Sequence, residues 1–172
     1  SFAINVMNSD STAEVINGAL LSGGGAVTIS AIGEHLSKTK AVAGSSKSAV
    51  GLSPSVALLV ASNQTIGLPG TGTAPNMPGL LTISAKHKLP GDTTVDSSVK
   101  GATTVGVGAA VALNIASDTA DAAGLRAISA GKGVAVAADL AVHTDANAVA
   151  SSQGATPKSS GEPTTSDGQV AS

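Results

Sequence analysis

A single pattern recurs along this chain at a spacing of about 54 residues, and that recurrence limits what the chain can fold into. Phe2-Ala-Ile-Asn-Val-Met-Asn8 returns as Val56-Ala-Leu-Leu-Val-Ala-Ser62 and again as Val111-Ala-Leu-Asn-Ile-Ala-Ser117. A second anchor follows each first one: Val27-Thr-Ile-Ser-Ala31, Leu81-Thr-Ile-Ser-Ala85 and Val134-Ala-Val-Ala-Ala138. Two separate anchors with a common period imply one structural unit used three times, the signature of an array, propeller or solenoid. A repeated unit of this kind points to an elongated structural molecule and away from a globular enzyme.

Both anchors alternate with a period of two, which indicates strands with one buried face. In the first anchor the larger residues are expected inside: Phe2, Ile4 and Val6, then Val56, Leu58 and Val60, then Val111, Leu113 and Ile115. The small residues Ala3, Ala57 and Ala112 are then outside, as a smooth strip suited to side-by-side packing of rods. In the second anchor Val27, Ile29 and Ala31 point in, as do Leu81, Ile83, Ala85 and Val134, Val136, Ala138, leaving Thr28, Ser30, Thr82 and Ser84 outside. Ser22-Gly-Gly-Gly25 and Gly131-Lys-Gly133 read as turns, and so do the polar stretches Asn8-Ser-Asp10, Ser62-Asn-Gln64 and Ser117-Asp-Thr119. Helix is disfavoured because each internal Gly costs a helix about 1 kcal/mol, and the apolar spacing is i, i+2, i+4.

The expected fold is all-β: a parallel β-helix, or β-solenoid, built from three repeats. Copy one covers 1–55, copy two 56–110 with a Pro/Gly-rich loop at 68–79 bulging from the body, and copy three 111–152; 153–172 is a polar linker or the start of a further copy. Rungs of about 18 to 27 residues at the ~4.8 Å strand spacing of a sheet would give three copies a length of roughly 30 to 45 Å. Stacked copies bury what one copy cannot. The chain begins within the pattern, so it is expected to be a piece of something longer, continued by adjoining repeats.

Composition agrees with a slim interior and removes several function classes. Of 172 residues, 42% are hydrophobic, 12% charged and 1% aromatic, and Phe2 stands without Trp or Tyr. That hydrophobic content with a net charge of −2 opposes disorder. Nine scattered Lys and Arg with no stacking aromatics oppose a nucleic-acid partner. No apolar run reaches the ~18 residues of a membrane span. The absence of Cys removes disulfides and thiolate metal sites.

The blocks at residues 2–31, 56–85 and 105–138 resemble the repeats of very large Gram-negative exoproteins, the filamentous-haemagglutinin-like and leukotoxin-type filamentous adhesins. The resemblance rests on Val-Ala-Leu-Asn-Ile-like strands followed by Val-Thr-Ile-Ser-Ala. It implies a right-handed β-helical shaft, secretion to the cell surface, and a part in adhesion or a surface filament. Leu59 departs from the pattern, where Asn5 and Asn114 stand in the other copies. No family functional residue carries over.

The chemistry-bearing residues do not form a site in the sequence. His35, His87 and His143 lie four, two and five residues past the last Ala of the second anchor, out of step and without ligand companions, so surface histidines are expected. Asp10, Glu14, Glu34, Asp92, Asp96, Asp118, Asp121, Asp139 and Asp145 share no column, unlike the acid clusters of polysaccharide-cleaving enzymes. The expected catalytic, cofactor-binding and metal residues are therefore none. The expected function is a structural segment of an extracellular adhesin shaft or surface filament, not an enzyme. Its partners would be copies of itself or adjoining repeats, end to end or laterally. A glycan- or surface-binding solenoid module is the alternative, weakened by the missing aromatics, and a polysaccharide-active β-helix enzyme ranks behind it.

Overall fold

A computed structural model describes residues 1–46, 49–100, 102 and 104–154. The expected polar linker at 153–172 therefore lies outside the described residues beyond Gly154. Among the described residues there are strands and no helix. In chain order they are β1 (Phe2–Glu14), β2 (Val27–Glu34), β3 (Ser37–Ser46), β4 (Val50–Leu68), β5 (Asn76–Met77), β6 (Leu81–Lys100), β7 (Val105–Ala116), β8 (Thr119–Ala122), β9 (Ser129–Ala130), β10 (Val134–Ala150) and β11 (Gln153–Gly154).

The strands form two large sheets. In the first, β4 is central, with β1 parallel on one side and β7 and β8 parallel on the other. In the second, β6 is central, with β2 and β3 on one side and β10 on the other, all parallel. The register follows the sequence period. Ala3 pairs with Ala57 and Ala57 with Ala112; Ala31 pairs with Ala85 and Ala85 with Ala138. The two-residue β11 turns back and pairs antiparallel with β7.

The repeat is used more coarsely than the expected rungs. β4 takes 19 residues and β6 takes 20, so one copy supplies a single long strand to each sheet. Three strands across correspond to two spacings, about 10 Å, in place of the 30 to 45 Å expected. The stretches Asn8–Asp10 and Ser62–Gln64 continue their strands instead of turning. The segment 68–79 does not bulge. Pro69, Gly70, Pro75, Met77 and Gly79 are buried, and the segment is hydrogen-bonded to its counterparts in the flanking copies: Gly18 donates to Thr71 O at 2.8 Å and Gly131 to Met77 O at 2.8 Å. Met77 closes one end of a core formed with Ile29, Leu81 and Ile83. The glycine turns are as expected, with φ of +73° at Gly23 and Gly24 and +94° at Gly133.

Two prolines sit inside central strands, where a missing N–H normally breaks the ladder. Pro90 falls opposite the gap between β2 and β3 of copy one. Pro54 O accepts from the Ser1 amine at 2.7 Å, so its nitrogen faces the same side, just before β1 begins. Lys88 O accepts from His35 N at 3.0 Å, and Pro90, two residues on, faces the same corner between β2 and β3.

The two sheets pack against each other, and the first anchor is inverted relative to expectation. Phe2, Ile4, Val6, Val111, Leu113 and Ile115 are exposed, Phe2 to 68%, and Val56, Leu58 and Val60 are half-buried on the same outer face. Ala57, Leu59 and Ala61 are buried instead, and Ala57 packs against Ala41 and Val95 of the opposite sheet, with Ala3 and Ala112 alongside. The Ala strip is therefore core and not surface. The physical cause is space. A Cβ at Gly67 would sit 2.6 Å from Ser84 O across the interior, and one at Gly108 would sit 2.5 Å from Ser97 O. The inner face of the first sheet takes mostly Ala, Ser, Thr and Gly beside Leu59, and the bulky members of the first anchor are left outside, while larger buried residues such as Leu81, Ile83, Leu89 and Val95 come from the second sheet. The second anchor points as expected: Ile29, Ala31, Leu81, Ile83 and Ala85 are buried. Val134 and Val136 keep that register but remain exposed on the outermost strand.

This thinness gives a direct test. Gly67→Ala should destabilise the chain by about 1–3 kcal/mol through overpacking. Gly44→Ala, whose added Cβ has 3.7 Å of clearance to its nearest atom, should stay within about 0.5 kcal/mol. Urea unfolding of the two variants measures both; equal effects would contradict the close approach of the sheets.

Candidate functional site

Alternation along β4 turns Asn63 and Thr65 inward, and alternation along β6 turns His87 inward between Ala85 and Leu89. Because the two strands run in opposite directions across the interior, these side chains meet. Thr65 Oγ1 and His87 Nδ1 are 3.0 Å apart, and His87 Nε2 lies 3.6 Å from Asp118 Oδ2. Asp118 interrupts the ladder between β7 and β8, and its Oδ1 accepts from the Asn63 backbone N–H at 2.9 Å and from Nδ2 at 2.8 Å. The side chains of His87 and Asp118 have no solvent exposure. The His35 ring, at the corner between β2 and β3, stands 5.4 Å from that of His87, centroid to centroid.

The sequence expectation of three surface histidines is thus corrected at His87. His143 is exposed and pairs with Asp145 at 3.0 Å, as a surface histidine does. His35 is half-buried. Of the carboxylates, Asp10, Glu14 and Asp121 point outward on the first sheet, while Glu34, Asp92, Asp96, Asp139 and Asp145 point outward on the second. Among the described carboxylates Asp118 alone is brought inside. The signal was present in the sequence: Leu81, Ile83, Ala85, His87 and Leu89 form one unbroken inward alternation.

Thr65, His87 and Asp118 follow the order of a nucleophile, a base and an orienting acid. Thr65 has no exposure at all, and neither do the side chains of His87 and Asp118. What the cluster does is join the sheets: it links β4, β6 and the β7–β8 junction through polar groups that would be costly to bury alone. Asn5 Nδ2 donating to Ser37 Oγ at 2.8 Å, and Ser55 Oγ donating to Asp96 O, are further ties of this kind. Among the described residues no three His, Asp or Glu side chains converge as metal ligands.

A second polar device lies at the turn end. Arg126, the one arginine of the sequence, donates to Ala19 O of copy one at 2.8 Å and to Pro69 O, Gly70 O and Thr73 O of copy two. One guanidinium with five fixed donors therefore ties the turn segments of all three copies.

The outer faces differ in character. On the second sheet, charges of opposite sign are ladder neighbours: Lys38 beside Asp92, Glu34 beside Lys88, Lys86 beside Asp139. Ser84 Oγ donates to Ser30 Oγ at 2.9 Å on the same face. The outer face of the first sheet carries the columns Phe2–Val56–Val111, Ile4–Leu58–Leu113 and Val6–Val60–Ile115. Comparison with protein-family models, with curated proteins and with solved structures finds no match for this chain.

The inter-sheet role of Asp118 predicts that Asp118→Ala, which strands two Asn63 donors, lowers stability by about 1–3 kcal/mol per group left unpaired. Asp118→Asn keeps an acceptor for Asn63 and should lose less. Urea unfolding distinguishes the two; a neutral Asp118→Ala would contradict the role.

Proposed function

We propose that this chain is a structural segment of a β-solenoid, one stretch of an extracellular shaft or surface filament of the adhesin type. The observation that carries this reading is the register: equivalent residues of successive copies are parallel ladder neighbours in both sheets. A unit that pairs with its own next copy can be extended by adding copies, and stability then grows with neighbour contacts. The outermost strands support the same reading. Among the described residues, β1, β2 and β3 have no neighbour on their far side, and β10 has none beyond β6. Such edges template further strands, supplied here by adjoining repeats or by another copy. The extracellular setting and the adhesive role rest on the resemblance to filamentous adhesin repeats. A buried polar cluster that ties sheets together suits a load-bearing rod better than a catalyst.

Duplicating the block from Val50 to Thr104 ahead of Val105, once or several times, tests the reading. Each added block should lengthen the particle by about 4.8 Å at constant cross-section in small-angle scattering, and should raise the unfolding midpoint. A cross-section that grows with each block, or a string of separate beads, would contradict it.

A further inference from the structure

All-parallel sheets are normally covered on both faces. Here the first sheet is covered on one. Its inner face meets the second sheet, while its outer face, from Val50 to Val60 on β4 and across the matching parts of β1 and β7, is apolar. Leu52 is 69% exposed, Val6 69% and Leu113 49%. Exposed apolar patches beyond a few hundred Å² mark interaction surfaces. At about 4.8 Å between strands and 3.3 Å per residue, this one has a flat footprint on the order of 500 Å². The side chains standing above it raise its accessible area towards the ~800 Å² that each partner contributes to a standard interface.

Charge narrows the occupant. Further along the same face come Asp10, Glu14 and Asp121, and no described Lys or Arg points outward there. An anionic lipid surface is recruited by basic residues and anchored by Trp or Tyr, and this face has neither. The sequence beyond Gly154 holds Val170 and no Leu, Ile, Met or Phe, too little apolar surface to act as the cover. The charged outer face of the second sheet would leave lysines and carboxylates desolvated against it. The surface that matches an uncharged, flat, columned face is the same face of another molecule.

We propose that this outer face binds the same face of a second copy of the chain, about a twofold axis that runs along the direction in which the copies stack. Such an axis reverses the strands, so the acidic ends of the two molecules project in opposite directions. The other in-plane axis would set Asp10 and Glu14 of one copy near those of its mate. The chosen axis also keeps both stacks pointing the same way, so the pairing continues along any number of repeats. It puts Val50 opposite Val60 and Leu52 opposite Leu58 of the mate, with the Pro54–Val56 region at the axis. The pairing does not depend on the shaft reading, since it needs only the three copies present here.

Sedimentation equilibrium on the 172-residue chain tests the proposal. The Leu58→Asp/Leu113→Asp double variant, altered only at outward positions, should halve the mass of whatever species the unaltered chain forms, with its β circular dichroism unchanged. Because the chain lacks Cys, Val56→Cys should be joined between two chains by a short bis-maleimide that spans about 10 Å, the spacing of face-to-face sheets, and Ala137→Cys, on the outer face of the second sheet, should not. The cross-link stands as a test even if the double variant unfolds. Three results would overturn the proposal: an unaltered chain that sediments as the 16.3 kDa monomer, a mass that the double variant leaves unchanged, which would assign association to the strand edges, or dissociation of the pair on phosphatidylcholine–phosphatidylserine vesicles with the chain bound to them.

Discussion

The close approach of two parallel sheets is the constraint on which the rest of this structure depends. Where Gly67 faces Ser84 O and Gly108 faces Ser97 O, no side chain fits, and where Ala57 faces Val95 there is room for a methyl group. Face-to-face sheets commonly stand about 10 Å apart around interdigitating large residues. The first sheet fills its side of the gap mostly with Ala, Ser, Thr and Gly, and larger buried residues such as Leu81, Ile83, Leu89 and Val95 come from the second. A thin interior also brings polar side chains of opposite sheets within reach of each other. That is how Thr65 Oγ1 comes within 3.0 Å of His87 Nδ1 and Asp118 Oδ1 within reach of Asn63, while His87 Nε2, Asn63 Oδ1 and Asp118 Oδ2 are buried without a hydrogen-bond partner among the described residues.

The period, the strand character and the pairing of like with like were readable from the sequence, because two anchors repeat at one spacing and each alternates with a period of two. The facing of the first anchor was not. Along Val56-Ala-Leu-Leu-Val-Ala61 both faces of the strand are apolar, and hydropathy alone ranks Val-Leu-Val above Ala-Leu-Ala. Size decides the facing, and the size that fits depends on how near the opposite sheet comes, which no local window contains. The length of the strands was hidden for a related reason. Pro90 cannot donate to a ladder, yet it sits opposite the gap between β2 and β3 in copy one. Arg126 was equally silent, since its partners are backbone carbonyls of turn segments in two other copies.

These constraints give the molecule three kinds of surface. Among the described residues the far edges of β1, β2, β3 and β10 are unpaired, the second sheet sets charges of opposite sign beside each other at Lys38–Asp92, Glu34–Lys88 and Lys86–Asp139, and the first sheet presents an apolar face. Growth along the stack and a lateral mate are the roles proposed for the edges and for the apolar face. The polar ties buried between the sheets link the two. They fix which strands face each other, and so keep all three surfaces in place.

The measurement that tests this account most directly is the spacing between successive copies. Nitroxide labels on Thr82→Cys and Ala135→Cys, outward ladder neighbours in the second sheet, report it by electron paramagnetic resonance in a chain without competing thiols. One strand per copy in each sheet predicts labels on backbones about 4.8 Å apart, and hence a spectrum strongly broadened relative to either single label. Labels held two or three strand spacings apart, at roughly 10 to 15 Å, or a doubly labelled spectrum equal to the sum of the two single ones, would contradict it.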